Sequence, residues 1–175
     1  MRPNLSEAFG ASRQSVEDTV KLLSKQLTSM GVRHAIAGGV AVGSYGYPRA
    51  TVDVDVVIGE ESYVISPSGL YSLKYTLPYQ GVGNVRIDYI SIKGAEGILT
   101  EAVANAKVDQ GIPVVPIEAL VVMKLVANRY KDRSDVVEMV KGGIPVVRVR
   151  MYITEKAPHL LEKFESLVSQ AKSEV

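Results

Sequence analysis

The 175 residues include no cysteine, no tryptophan, two phenylalanines and two histidines. Without cysteine there is no disulfide, no thiolate metal site and no thiol nucleophile. His34 and His159 are far apart and give no ligand spacing, so the histidine and aspartate clusters usual in metal-dependent phosphohydrolases are missing. Charge of one sign is also lacking. The formal net charge is +1, which argues against binding nucleic acid by bulk charge and leaves only a local basic site open. No apolar run approaches the roughly 18 residues of a membrane span, and the opening "MRPNLSEAFG" lacks the apolar core of a signal peptide. The expectation is a cytoplasmic protein with no membrane partner. Apolar residues make up 46% of the chain and charged ones 22%, enough for a real core in one domain, 1–175.

Hydrophobic spacing divides that domain into an N-terminal helix at 12–30, a core at 33–115 and a helical segment at 116–175. Val16, Val20, Leu23, Leu27 and Met30 recur at helical spacing, with Ser15 as N-cap and Gly31 as the stop. "VRHAIAG" reads as a short strand, ended by Gly38 and Gly39, and "VAVGSYG" as a short helix or turn. The valine run at 52–58 reads as a strand. Residues 70–77 and 84–92 suggest a hairpin beside it, across the turn "QGVGN". A helix with a break at Gly97 is expected over "KGAEGILTEAVANA", then a strand at "GIPVV". Pro116 opens the next helix at a position where its missing N–H costs nothing. A further helix ends at Gly142 and Gly143. Residues 146–153 fit strand or helix, and "EKAPHLLEKFESLVSQ" closes the chain as a helix.

The chemistry concentrates in "GGVAVGSYGYPRATVDVDVVI", Gly38 to Ile58. Asp53 and Asp55 are two apart on a strand, so both carboxylates leave one face, while Val52, Val54 and Val56 leave the other. Two like charges side by side repel, and burying them unpaired is costly. A solvated strand face is the plain explanation; a divalent cation such as Mg²⁺ is the other. Gly38 and Gly39 permit a tight strand-to-helix turn or close approach of a ligand to the backbone. Asp88 is a third acid in the alternating "NVRIDYISI". It either reaches the other two or pairs with Arg86.

These residues resemble the nucleotidyltransferase superfamily, with its polymerase-β-like catalytic core. Gly38, Gly39, Arg49, Thr51, Asp53 and Asp55 follow its pattern, "RIDYI" is similar to its third-acid strand, and Lys124 with "KDRSD" resembles the helical segment after it. The wording looks closest to the abortive-infection toxin branch. The resemblance implies an α/β (α+β) fold with a small mixed twisted sheet flanked by helices, and C-terminal helices. It implies Asp53, Asp55 and Asp88 as ligands of Mg²⁺ or Mn²⁺, and Gly38, Gly39, Arg49, Thr51 and Lys124 as contacts to a nucleoside triphosphate. The activity implied is transfer of a nucleoside monophosphate to a hydroxyl of RNA (tRNA included), protein or a small molecule, with an antitoxin as a partner. Many relatives carry a serine after the first glycine; here Gly39 stands there. The rival expectation is a non-catalytic module that keeps the fold and binds a nucleotide or a protein. From the residues themselves, Lys124 belongs to a stripe with Leu120 and Asn128 and either reaches the cleft mouth or is a snorkelling helix lysine. Arg49 either contacts phosphate or braces the acids. Arg129, Lys131 and Arg133 either touch nucleic acid or pair with Asp132 and Asp135, and pairing is the expectation for Asp135. Tyr45, Tyr47 and Tyr79 are candidate base-stacking groups.

Overall fold

A computed structural model describes residues 1–68, 71–90 and 96–174. Its main sheet has five strands in the order β5-β2-β1-β7-β6, formed by β1 (His34–Ile36), β2 (Asp53–Ile58), β5 (Arg86–Tyr89), β6 (Lys107–Asp109) and β7 (Ile112–Val114). β2 runs antiparallel to β1 and parallel to β5, while β7 is parallel to β1 and antiparallel to β6. The sheet is therefore mixed, as the resemblance implies, and helices flank it.

The long N-terminal helix, α2 (Gln14–Ser29), lies where its apolar period places it, with Val16, Val20, Leu23 and Leu27 buried. It starts one residue before Ser15, and no side-chain cap bond forms there. β2 buries Val54, Val56, Val57 and Ile58. Val52 precedes the strand and is 66% exposed, so it does not join the expected apolar layer. α5 (Ile117–Ala127) is buried almost all round, which a helix needs when it is covered on every side. It packs against α6 (Tyr130–Lys141) and α7 (Val146–Lys156), and α6 packs in turn on α8 (Leu161–Ser173). The ambiguous 146–153 stretch is thus helical and buries Val149 and Ile153. The expected single closing helix is interrupted after Ala157, where Pro158 opens a short 3-10 turn before α8.

One local expectation changes. The 70–77 and 84–92 segments do not form a hairpin. β4 (Tyr71–Leu73) pairs instead with β3 (Tyr63–Ile65) in a separate two-stranded sheet, and β5 lies parallel to β2. Parallel neighbours need a long crossover, and residues 59–85 supply it. Residues 70, 91 and 92 of those two segments, and 93–95 of the expected helix before Gly97, lie outside the described residues. α4 is described from Glu96 to Ala104, with Gly97 in its first turn, so the expected break there is not tested. β3 was not expected, and neither were β6 and α1 (Leu5–Gly10). β6 joins β7 across a two-residue turn with Gln110 and Gly111 at φ 49° and 76°, a hairpin geometry usually announced by Asn-Gly or Asp-Gly. α1 (Leu5–Gly10) is too short for a periodic signal and is held by Leu5 and Phe9 in the core and by Leu5 N–H donating to Asp109 Oδ2 at 2.8 Å.

Under α2, β1 carries the buried His34. Its Nδ1 lies 3.0 Å from the Val32 carbonyl, which can only accept, so Nδ1 holds the proton and Nε2 accepts from Ser24 Oγ at 2.9 Å. Both ring nitrogens are thus satisfied in the neutral form. Burial lowers the His34 pKa, against a smaller opposing effect of the Val32 carbonyl. A depressed histidine contributes stability that is full above its unfolded pKa of about 6.5 and is lost as pH falls through the folded value. Urea unfolding at stepped pH should show the wild type losing stability below about pH 6.5 more steeply than His34→Gln. The difference should approach about 1.4 kcal/mol per pH unit at most. Parallel curves for the two proteins would contradict this.

Candidate active site

The acid-bearing face is built by register. Asp53 lies opposite Arg86 and Asp55 opposite Asp88 across the parallel β2–β5 pair. Since side chains two apart share a face, all four charged groups project from the same side. Adjacent strands are about 4.8 Å apart, so a long side chain on one reaches its neighbours on the other. Arg86 does so. Its Nη2 lies 2.7 Å from Asp88 Oδ2 and 3.2 Å from Asp53 Oδ2, and its Nε donates to Asp88 Oδ2 at 2.9 Å. Thr51 Oγ1 donates to Asp53 Oδ1 at 3.1 Å.

Asp55 is different. It is half-buried, and among the described residues nothing donates a hydrogen bond to its carboxylate. Burial raises its pKa first and repulsion from Asp53 second, with Asp88 adding and Lys124 and Lys131 opposing. The backbone of Gly38 closes over it. A Cβ on Gly38 would fall 1.7 Å from Asp55 Oδ2, and Gly38 has φ +57°, so both the space and the backbone conformation call for glycine. Gly39 lies beside Thr51 and Arg49, since a Cβ there would meet Thr51 Oγ1 at 2.8 Å. α3 (Gly38–Ser44) begins at this turn, as the glycine pair suggests, and is buried throughout.

The cations behind this face are already engaged. Lys124 is buried, 3.0 Å from Asp132 Oδ1 and 2.8 Å from Asp135 Oδ2, rather than at the mouth of a cleft. Arg49 grips Asp135 with two bonds, Nε to Oδ1 at 2.7 Å and Nη2 to Oδ2 at 2.9 Å. Asp135 is paired, as expected, with Arg49 as one of its partners. Burial works against the charge of Arg49, and the Asp135 bonds outweigh it, so its pKa rises. Asp132, fully buried, would be raised by burial, but hydrogen bonds from Arg129 and Lys124 pull it below the ordinary carboxylate range. Arg129 caps α6 through Asp132 and also lies near Asp55 and Asp53. Lys131 lies near Asp55 and makes no ion pair among the described residues. Tyr45 is fully buried and donates to the Val115 carbonyl at 2.9 Å, which removes it as a base-stacking group.

The sequence already names the three acids, the glycine pair and Thr51, and these come together. The pairing of Asp88 with Arg86 was one of the two expected alternatives; the reach of Arg86 to Asp53 and Asp132 as a second buried partner of Lys124 were not singled out. The only local signal for the first is an arginine two residues before an acid in an alternating strand. Among the described residues no three acidic or histidine side chains are gathered as a ready metal cage. The carboxylates are of the right kind for Mg²⁺ or Mn²⁺, but Arg86 takes one oxygen of Asp53 and one of Asp88, so the set does not fit a cation in this arrangement. A surface concavity of about 740 Å³, lined by Gln26, Met30, Leu77 and Tyr79 among others, shares no residue with the acids.

Fold and site together define a mixed α/β protein with a small sheet flanked by helices and a charged strand face. No protein-family model and no curated protein matches the chain. Among solved structures it is similar to an antigenic nucleotidyltransferase-like protein from Paracoccidioides brasiliensis. The identity is 20% over 87% of this chain and 90% of that chain, with a TM-score of 0.49. The likeness is a distant one of architecture and does not reach the abortive-infection toxin branch. No helix among the described residues is long and apolar enough to cross a membrane.

Proposed function

We propose that the chain transfers a nucleoside monophosphate from a nucleoside triphosphate to a hydroxyl acceptor. The observation that carries this reading is the register of β2 and β5, which sets Asp55 opposite Asp88 with Asp53 on the same face, beside a glycine turn closed over Asp55. Asp88, 40% exposed at its side chain, is accessible to take a proton from an acceptor hydroxyl. Lys131 and the exposed side of Arg129 lie near the acids and would attract the polyphosphate. Thr51 holds the Asp53 carboxylate in orientation through its 3.1 Å bond. Lys124 and Arg49 serve from behind, tying α5 and the 48–52 loop to α6 through Asp135. The acceptor belongs to RNA, protein or a small molecule, and the net charge of +1 gives no preference for RNA.

One observation favours a second reading, a nucleotide- or protein-binding module without catalysis: Arg86 neutralises two of the three acids. The test is incubation with Mg²⁺ or Mn²⁺ and each of four α-labelled triphosphates, with and without RNA. Label is expected on RNA, on a protein or on a small acceptor, and is expected to vanish in Asp53→Asn. Nucleotide binding by calorimetry with no label transferred would select the binding module. Neither binding nor transfer would end both readings.

A further inference from the structure

The two edges of the main sheet differ. Outside β5, the Tyr79 carbonyl accepts from Ile87 N–H at 2.9 Å and Gln80 bridges to Arg86, so that edge is covered. Outside β6 no strand pairs among the described residues. Positive φ at both Gln110 and Gly111 makes the β6–β7 connection a two-residue hairpin turn, with Asp109 and Ile112 as its hydrogen-bonded closing pair. Bonded and unbonded pairs alternate along an antiparallel ladder. Val108 and Pro113 are therefore an unbonded pair, where the missing N–H of Pro113 costs no bond to β6. The N–H and C=O of Val108 point away from β7, and neither makes a hydrogen bond among the described residues. The Val108 side chain is itself 68% exposed.

A short edge strand carrying a lysine is usually blunted against pairing, and β6 has both features. They deter a strand taken at random. They do not deter β6 itself, because Lys-Val-Asp is complementary to its own reverse. In an antiparallel pair centred on Val108, Lys107 of each copy stands opposite Asp109 of the other. Val108 then faces Val108, and the two exchange both of their free backbone bonds. Lys107 is available for this, being exposed and without an ion pair among the described residues. Asp109 engages only Oδ2, with Leu5 N–H, and keeps its other oxygen. Beside Lys107, the exposed Met151 of α7 lines the same concavity of about 340 Å³ and adds apolar area next to the edge.

We infer that the free edge of β6 joins two copies of this chain through an antiparallel β6–β6 pair, which merges their two five-stranded sheets into one. The contact is small, so the dimer forms weakly and reversibly. The acids of β2 and β5 lie at the other side of the sheet and take no part in it.

The experiment is sedimentation equilibrium of the full chain from about 1 μM to 1 mM, the range in which weak interfaces titrate. The mass should rise from 18.9 kDa towards twice that value. Val108→Pro removes an N–H that the fold itself does not use, and an edge strand accepts proline. It should raise the dimer Kd about tenfold or more, since two hydrogen bonds across the pair are lost. Lys107→Glu sets like charges opposite each other at both ends of the pair and should weaken association in the same direction. Asp109→Lys does so with the other sign. Mixing these two charge variants makes every introduced charge face its opposite, so the mixture should recover wild-type association. Circular dichroism and Tm check that each variant folds. Asp109→Lys also loses the acceptor of Leu5 N–H; if it does not fold, Val108→Pro and Lys107→Glu decide. A mass of 18.9 kDa at every concentration overturns the inference. A dimer that Val108→Pro leaves intact overturns it too, since the copies then meet through another face. Folded charge variants that stay monomeric when mixed would overturn the antiparallel pairing on which it stands.

Discussion

Lys124→Met should destabilise the fold by about 3 kcal/mol, on the scale measured when one partner of a buried ion pair is removed. The ammonium is buried between Asp132 and Asp135, at 3.0 and 2.8 Å, and both acids are almost wholly out of solvent. Methionine fills much the same volume, so the loss is electrostatic rather than a cavity. It leaves two buried carboxylates facing each other, one held by Arg129 and the other by Arg49. For a chain of this size the Tm should fall by roughly 6–12 °C. Chemical denaturation should show a lower midpoint with an unchanged m-value. If Lys124 instead served a bound nucleotide from a half-exposed position, the metal-free and nucleotide-free protein would barely change. A midpoint within error of wild type would therefore refute the structural role.

The second large effect is expected at Asp55, and it has two opposite parts. In activity, Asp55→Asn should lower label transfer by about 10³-fold or more, as when a group that acts only in the transition state is lost. In stability, the metal-free variant should match or exceed the wild type by about 1 kcal/mol. The charged form of Asp55 is disfavoured by burial and by Asp53, and asparagine removes that repulsion without changing the shape. If Mg²⁺ binds the folded wild type at these acids, it should add about 2.7 kcal/mol of stability at a hundredfold excess over Kd, and the same variant should lose that gain. Melting curves with and without Mg²⁺ measure both. A marked loss of stability in the metal-free variant would identify Asp55 as a structural acid and count against the proposed function.

What could be read in the sequence was local. A strand places residues two apart on one face, so "VDVDVVI" already shows that Asp53 and Asp55 project together, and "RIDYI" that Arg86 and Asp88 do. The apolar spacing of Val16, Val20, Leu23 and Leu27 marks α2, and Pro116 marks the start of α5. Such periods come from the geometry of one segment and need no partner. They report which face a side chain leaves by and are silent on what it meets there. The tertiary structure decided the partners. The pairing of β2 with β5 in register sets Asp55 opposite Asp88 and lets Arg86 bridge to Asp53. Folding α6 back onto α5 buries Lys124 between two acids that the sequence places after the helix. The Arg49–Asp135 clamp joins residues 86 apart. Each depends on closing a long loop, and which loops close is settled by the packing of the whole core, where charges find the partners that burial makes necessary.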